Sequence, residues 1–131
     1  MGRNRTFDED EVVERCAEVF RRTGYEGSSI DDLVAATGLH RGSLYSAFGS
    51  KRGLFVLALR RSAASGALTD ATTDLVLVAL MELAWRDPEI RSIAFGILDD
   101  SPGDTATTLG RRLVDRAVET PDHSDTRKET S

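Results

Sequence analysis

The sequence predicts an all-α protein, and three observations carry that prediction. Apolar residues recur at helical spacing, as in Val12, Cys16, Val19 and Phe20, then Ile30, Leu33, Val34 and Thr37, then Leu54, Phe55, Ala58 and Leu59. Start and stop residues punctuate these stripes: Ser, Thr or Asp before them, Gly after them. Only three prolines occur in 131 residues, and Pro88, following Asp87, is itself a helix-start signal. About seven helices follow from this reading.

The first helix runs from about Asp8 to Thr23. Asp8 with Glu11 can form an Asp-started capping box, and Gly24 stops the helix. Cys16 falls on the buried stripe and reads as a core thiol, and Tyr25 as a packing residue with its hydroxyl at the surface. Ser28 or Ser29 can cap the second helix, with Asp31 or Asp32 adding negative charge to its first turn. Gly38 ends it, because Gly at C′ takes the left-handed conformation without a Cβ clash. A short helix begins at His40-Arg41-Gly42-Ser43, with Leu44 and Phe48 pointing inward. Phe48-Gly49 closes it, and Ser50 caps a fourth helix from Lys51 to about Ser65. Two helices joined by a short Gly-containing turn form a helix-turn-helix, whose second helix fits a DNA major groove.

The residue types on that second helix suit a DNA reader. Arg41 can offer a bidentate fork to guanine O6 and N7. His40, Ser43 and Ser46 are short polar groups able to reach base edges or phosphate, and Gly42 permits close backbone approach. Tyr45 can hydrogen-bond a phosphate through its hydroxyl. Lys51 lies at a helix N-terminus, where free N–H groups already favour an anion.

The run Phe20…Gly24-Tyr25-Glu26-Gly27-Ser28-Ser29-Ile30-Asp31-Asp32-Leu33-Val34…Gly38-Leu39-His40-Arg41-Gly42-Ser43-Leu44-Tyr45…Phe48-Gly49-Ser50-Lys51 resembles the N-terminal domain of the tetracycline-repressor (TetR) family. Gly-Tyr after the first helix, the Gly-Ser-Leu-Tyr run and the Phe-x-Ser-Lys ending all fall at family spacing, and the resemblance covers roughly residues 7 to 60. It implies a homodimeric transcriptional regulator, a repressor that occupies a palindromic DNA operator and is released when a small-molecule effector tilts the fourth helix. By resemblance, Leu39, His40, Arg41, Gly42, Tyr45, Ser46, Ala47 and Lys51 fall where the family contacts DNA. Leu39 and Ala47 would offer a thymine-methyl contact or close packing. Asp74 to Ala94 looks like a later part of the family's C-terminal domain, joined almost directly to the fourth helix.

Beyond the fourth helix, Asp70 or Thr73 can cap a helix covering Leu75 to Trp85. The segment Leu75 to Met81 is apolar all round. A small domain seldom buries a helix on every side, so this surface is expected to meet a second subunit. A helix from Pro88 to about Leu98 and another from about Thr105 to Glu119 follow. The expected dimer interface is Leu75, Leu77, Val78, Leu80 and Met81, with Leu109, Leu113 and Ala117 on the last helix. A ligand, if bound, is expected between the fourth and the C-terminal helices, lined by Met81, Trp85 and Phe95, adaptable residues that are also ordinary core material. The domain expectation is 1–50 for DNA binding, 51–120 for the linking helix and a C-terminal dimerisation or ligand unit, and 121–131 for a disordered tail.

Charge is unevenly placed. Residues 1–61 hold 10 basic against 9 acidic side chains, and the remainder 7 against 13, so the acidity sits away from the helix-turn-helix. Arg3 and Arg5 either begin a disordered start or form a basic arm. One cysteine cannot form an internal disulfide, the N-terminal run lacks the apolar core of a secretory signal, and no apolar stretch approaches membrane-spanning length; a cytoplasmic location is expected. No cofactor or metal site is expected, because no paired Cys or His stands at ligand spacing and no Gly-rich phosphate loop occurs. With only His40 and His123 present, no catalytic set is suggested and an enzyme is not expected. The alternative to a DNA-binding regulator is a protein-interaction module that keeps the fold but binds DNA weakly or not at all.

Overall fold

The computed structural model describes residues 7–119. Arg3 and Arg5, with the proposed basic arm, and the 121–131 tail lie outside the described residues. The chain forms α1 (Glu9–Thr23), α2 (Ile30–Thr37), α3 (Arg41–Phe48), α4 (Lys51–Ser65), α5 (Asp70–Val78), which runs into a π turn at Ala79–Leu83, α6 (Pro88–Asp100) and α7 (Thr105–Val118). No strand occurs among the described residues. The fold is all-α with an N-terminal helix-turn-helix, as the periodicity predicts.

Local chemistry sets the helix ends. Asp8 caps α1 by accepting from the Asp10 N–H at 3.0 Å, while Glu11 does not close a box and instead holds Arg15 at 2.7 Å, one turn on. Ser29, rather than Ser28, caps α2: its hydroxyl accepts from the Asp32 N–H and the Asp32 carboxylate accepts from the Ser29 N–H, at 3.0 and 2.9 Å. These bonds hold the Asp32 carboxyl below its usual range. Gly38 follows at φ 76°, in the left-handed region. Thr69, not Asp70 or Thr73, caps α5, its hydroxyl accepting from the Thr72 N–H at 3.1 Å.

The core runs continuously from α1 through α4 and α5 to α6. At its centre Phe20, Tyr25 and Phe55 meet, with Phe20 edge-on to Phe55 at 5.2 Å and Tyr25 edge-on to Phe55 at 5.4 Å. Cys16 is wholly buried beside them, and burial pushes its thiol up to about 11, which keeps it protonated and unreactive.

The all-round apolar character of α5 has an internal cause. Leu75, Val76, Leu77 and Val78 are all buried within the chain, because α5 is enclosed by α1, α4 and α7. Leu75, Leu77 and Val78 therefore do not belong to a subunit face. Of the expected interface, Met81, Leu113 and Ala117 are exposed, and Leu80 and Leu109 are half-buried.

α7 is attached differently. None of its residues is buried. Arg112 grips Asp74 on α5 through two bonds, at 2.6 and 3.0 Å, and reaches Glu119 at 2.8 Å. Arg116 stands 3.3 Å from Asp74 and donates to the Arg21 carbonyl, on the last turn of α1, at 2.8 Å. Ion pairs thus fasten α7 alongside the half-buried Leu109, which packs against the core.

A second charged clasp joins α4 to α6. Arg52 donates to the Asp87 carboxylate at 2.7 and 3.0 Å and to Glu89 at 2.8 Å, and Arg60 reaches Glu89 at 2.8 Å. Asp87 also caps α6, accepting from the Ile90 N–H at 3.2 Å. The Arg52 guanidinium lowers the Asp87 carboxyl to about 2. The unfolded chain, with an ordinary aspartate near 3.9, binds that proton more readily, so the clasp stabilises above about pH 4 and is lost as pH falls towards 2. Asp87→Asn, which keeps a capping oxygen but no charge, should therefore melt at a lower temperature than the unsubstituted protein at neutral pH. The gap should narrow between pH 4 and 2, as thermal melts followed by circular dichroism would show.

Candidate nucleic-acid interface

α3 is held by its buried side and open on the other. Leu44 is buried to 1% exposure, Phe48 and Leu39 are packed against the core, and the opposite face presents Arg41, Gly42, Tyr45 and Ser46 to solvent. Ser43 and Ala47 lie half-buried at the flanks. His40 occupies the N-cap without a side-chain cap bond, so the first-turn N–H groups of α3 remain open to an anion. The sequence-predicted DNA residues from Leu39 to Ala47 are thus gathered on one short helix and the turn before it.

Arg41 is not idle. Its guanidinium donates to Asp31 of α2 at 2.6 Å, and both side chains are more than half exposed. An exposed pair of this kind contributes at most about 1 kcal/mol, so the guanidinium can exchange a carboxylate for a base edge at little cost. Asp31 as the partner of Arg41 was not legible in the sequence, since the two stand ten residues apart on helices whose crossing is a tertiary property.

Lys51 faces inward more than its motif position suggests. Its ammonium donates to the carbonyls of Tyr25 and Ser28 at 3.0 and 2.9 Å and lies 4.4 Å from the Tyr25 ring centre. Two of its three N–H donors are thereby engaged, which leaves one for a phosphate.

The loop from Gly24 to Ser28 that Lys51 holds is gripped from the other side by Glu82. Its carboxylate accepts from the N–H groups of Tyr25 at 3.2 Å and Glu26 at 2.8 Å. Arg86, four residues on, pairs with Glu26 at 2.7 Å. Ser28 is buried and donates to the Gly24 carbonyl at 2.5 Å. Sequence reasoning missed Glu82, although a signal existed: it is the only charged residue between Asp74 and Arg86 in an otherwise apolar run.

The residues expected to line a ligand cavity do not enclose one. Met81, Trp85 and Phe95 are 56%, 71% and 49% exposed. The π turn and α6 direct Ala79, Leu83, Ile90, Ala94 and Ile97 inward, which turns these three out. An open cleft of about 280 Å³ lies elsewhere, between α1, α4 and the start of α5, where Val13, Ala17, Arg21, Ala58, Arg61 and Thr72 border it. The described residues hold no cluster of three or more His, Cys, Asp or Glu able to bind a metal, and no described helix is long and apolar enough to cross a membrane.

A helix-turn-helix with one short, outward-facing polar helix defines a DNA-binding class of fold. The family profile described as bacterial regulatory proteins, tetR family, matches residues 12–58, which span α1 to the middle of α4. Over those residues the N-terminal domain is similar to that family. The chain is 39% identical over 101 residues to the uncharacterized HTH-type transcriptional regulator YezE of Bacillus subtilis, an alignment covering 68% of this chain and 51% of that protein. It is 33% identical over 88 residues to the HTH-type transcriptional repressor AcnR of Corynebacterium glutamicum, covering 67% and 46% respectively. Among solved structures, the TetR family transcriptional regulator PfmR from Thermus thermophilus matches with a TM-score of 0.49 and 23% identity, over 87% of this chain and 72% of that one. The chain spans about half the length of the curated relatives it matches.

Proposed function

We propose that this protein is a cytoplasmic transcriptional regulator, a repressor, that binds a DNA operator as a homodimer through α3. The observation that carries the reading is the open face of α3, with Arg41, Gly42, Tyr45 and Ser46 outward while Leu44 anchors the helix from below. The relatives named above are transcriptional regulators and repressors, a non-enzymatic role. In this reading Arg41 reads a base edge, and His40, Ser43, Tyr45 and Ser46 add base or phosphate contacts. Leu39 and Ala47 pack close to the groove wall, and Lys51 spends its remaining N–H on phosphate. The two α3 helices of a dimer would enter successive major grooves, roughly 34–36 Å apart, so the operator would be an inverted repeat. Selection from a pool of randomised duplexes tests this: an inverted repeat should be enriched, and a pool that returns no shared sequence would count against it and favour the interaction-module alternative.

The dimer surface in this reading is what the fold leaves uncovered: Leu113, Val114 and Val118 on α7, and Met81, Trp85 and Phe95 on the π turn and α6. At about 25 cal/mol per Å², an interface of ~800 Å² per partner is enough to offset the costs of association. Leu113→Glu should shift the protein towards monomer in sedimentation velocity. An unsubstituted protein that is already monomeric at micromolar concentration would remove the dimer from the account. Release by a small-molecule effector requires a cavity, and Met81, Trp85 and Phe95 can line one only where a second apolar surface covers them. Effector binding at these three residues and dimerisation are therefore one question in this chain.

A further inference from the structure

The loop from Gly24 to Ser28 leads directly into the Ser29 cap of α2, so its shape sets how α2 and α3 stand on the rest of the molecule. That loop is clamped by two side chains of opposite charge. Lys51, from the start of α4, takes the carbonyls of Tyr25 and Ser28. Glu82, more than fifty residues on in the chain, takes the N–H groups of Tyr25 and Glu26. Its carboxylate lies close over the glycine at position 24: a Cβ there would lie 2.6 Å from the Glu82 Oε2 and push the carboxylate aside, and the backbone φ is 83°, which side chains rarely adopt. Glu82 sits on the π turn, closed by the Ala84 N–H donating to the Ala79 carbonyl at 2.8 Å. Such turns gather at functional positions. Here the turn keeps Ala79 and Leu83 buried while Glu82 reaches the loop.

We propose that Glu82 is a positioning residue for DNA recognition: from the C-terminal helices it fixes the α1–α2 loop and thereby the stance of α2 and α3 on the operator. This rests on the DNA-binding reading above and deepens it, since it makes operator recognition depend on a residue outside the helix-turn-helix. The proposal has a sign that electrostatics alone reverses. Glu82 is a negative charge on a DNA-binding molecule, and its neutralisation by itself should favour a polyanion. A positioning role predicts weaker operator binding instead.

The test compares the unsubstituted protein with Glu82→Gln and Glu82→Asp, on the selected operator and on an unrelated duplex. Thermal midpoints and the Tyr25 and Glu26 amide resonances are recorded alongside. Gln removes the charge, and Asp keeps it but withdraws the carboxylate by one methylene. Both variants should keep their fold, shift those two amide resonances and bind the operator about tenfold more weakly, the scale of a lost charge-assisted hydrogen bond. Unrelated DNA should bind Glu82→Gln equally or slightly more tightly. Operator binding by Glu82→Gln at or above the unsubstituted affinity would overturn the proposal. If that variant does not fold, Glu82→Asp decides, with undiminished binding overturning it. Loss of folding in both would overturn it too, because Glu82 would then hold the fold rather than the recognition unit. Failure of the DNA-binding reading looks different: the unsubstituted protein itself would then bind neither duplex.

Discussion

Arg112→Ala should destabilise the folded chain by about 3 kcal/mol, read as a lower urea midpoint with an unchanged slope. The reason lies in the partner left behind. Asp74 is 12% exposed, and Arg112 supplies two of its hydrogen bonds. Removing one member of a buried pair leaves a charge that neither water nor protein solvates, a loss of about 3–5 kcal/mol. The low end applies because the Arg116 guanidinium remains 3.3 Å away. Replacing both Arg112 and Asp74 with leucine should recover most of the loss, since the uncompensated charge is then gone. A loss below about 1 kcal/mol for Arg112→Ala would show that α7 is held by something other than these ion pairs. Because α7 buries no residue of its own, its amide protons should also exchange faster in the single variant than those of α1 or α5.

Where the sequence was legible, the signals were local. Gly38, Ser50 and Asp87-Pro88 act on their own turn of backbone, and their caps form where the residue types say they should. The α3 register was equally legible, because Leu44 and Phe48 one turn apart leave only one face for Arg41 and Tyr45. What could not be read depends on distant packing. The apolar girdle of α5 looks the same whether a second chain or the same chain covers it, and only the placement of α1, α4 and α7 decides. Met81, Trp85 and Phe95 have the composition of a pocket lining, but the π turn at Ala79–Leu83 and the inward face of α6, set by Ile90, Ala94 and Ile97, leave them outward. The contact between Glu82 and the loop after α1 spans 57 residues to Tyr25 and has no periodic signature.

Arg41→Ala should cost about 1–3 kcal/mol per half-site on the operator, and roughly twice that for a dimer that engages both half-sites. The same variant should lose little on unrelated DNA, beyond the small flattening of salt dependence expected when one positive charge is removed. It should also relax the preference at one base pair in each half-site. Fold stability should hardly change, because the Arg41–Asp31 pair that disappears is solvent-exposed on both sides. An equal loss on operator and unrelated DNA would mean that Arg41 contacts phosphate rather than base.

The central claim is that α3 is a recognition helix, and equilibrium binding of the unsubstituted protein tests it most directly. Fluorescence polarisation would follow its titration onto the selected inverted repeat and onto an unrelated duplex of equal length, each at several salt concentrations. The account predicts tighter binding to the inverted repeat, by a factor of about a thousand or more at physiological salt, and a steep loss of affinity on both duplexes as salt rises. Equal affinity for the two duplexes, or no binding to either, would contradict it.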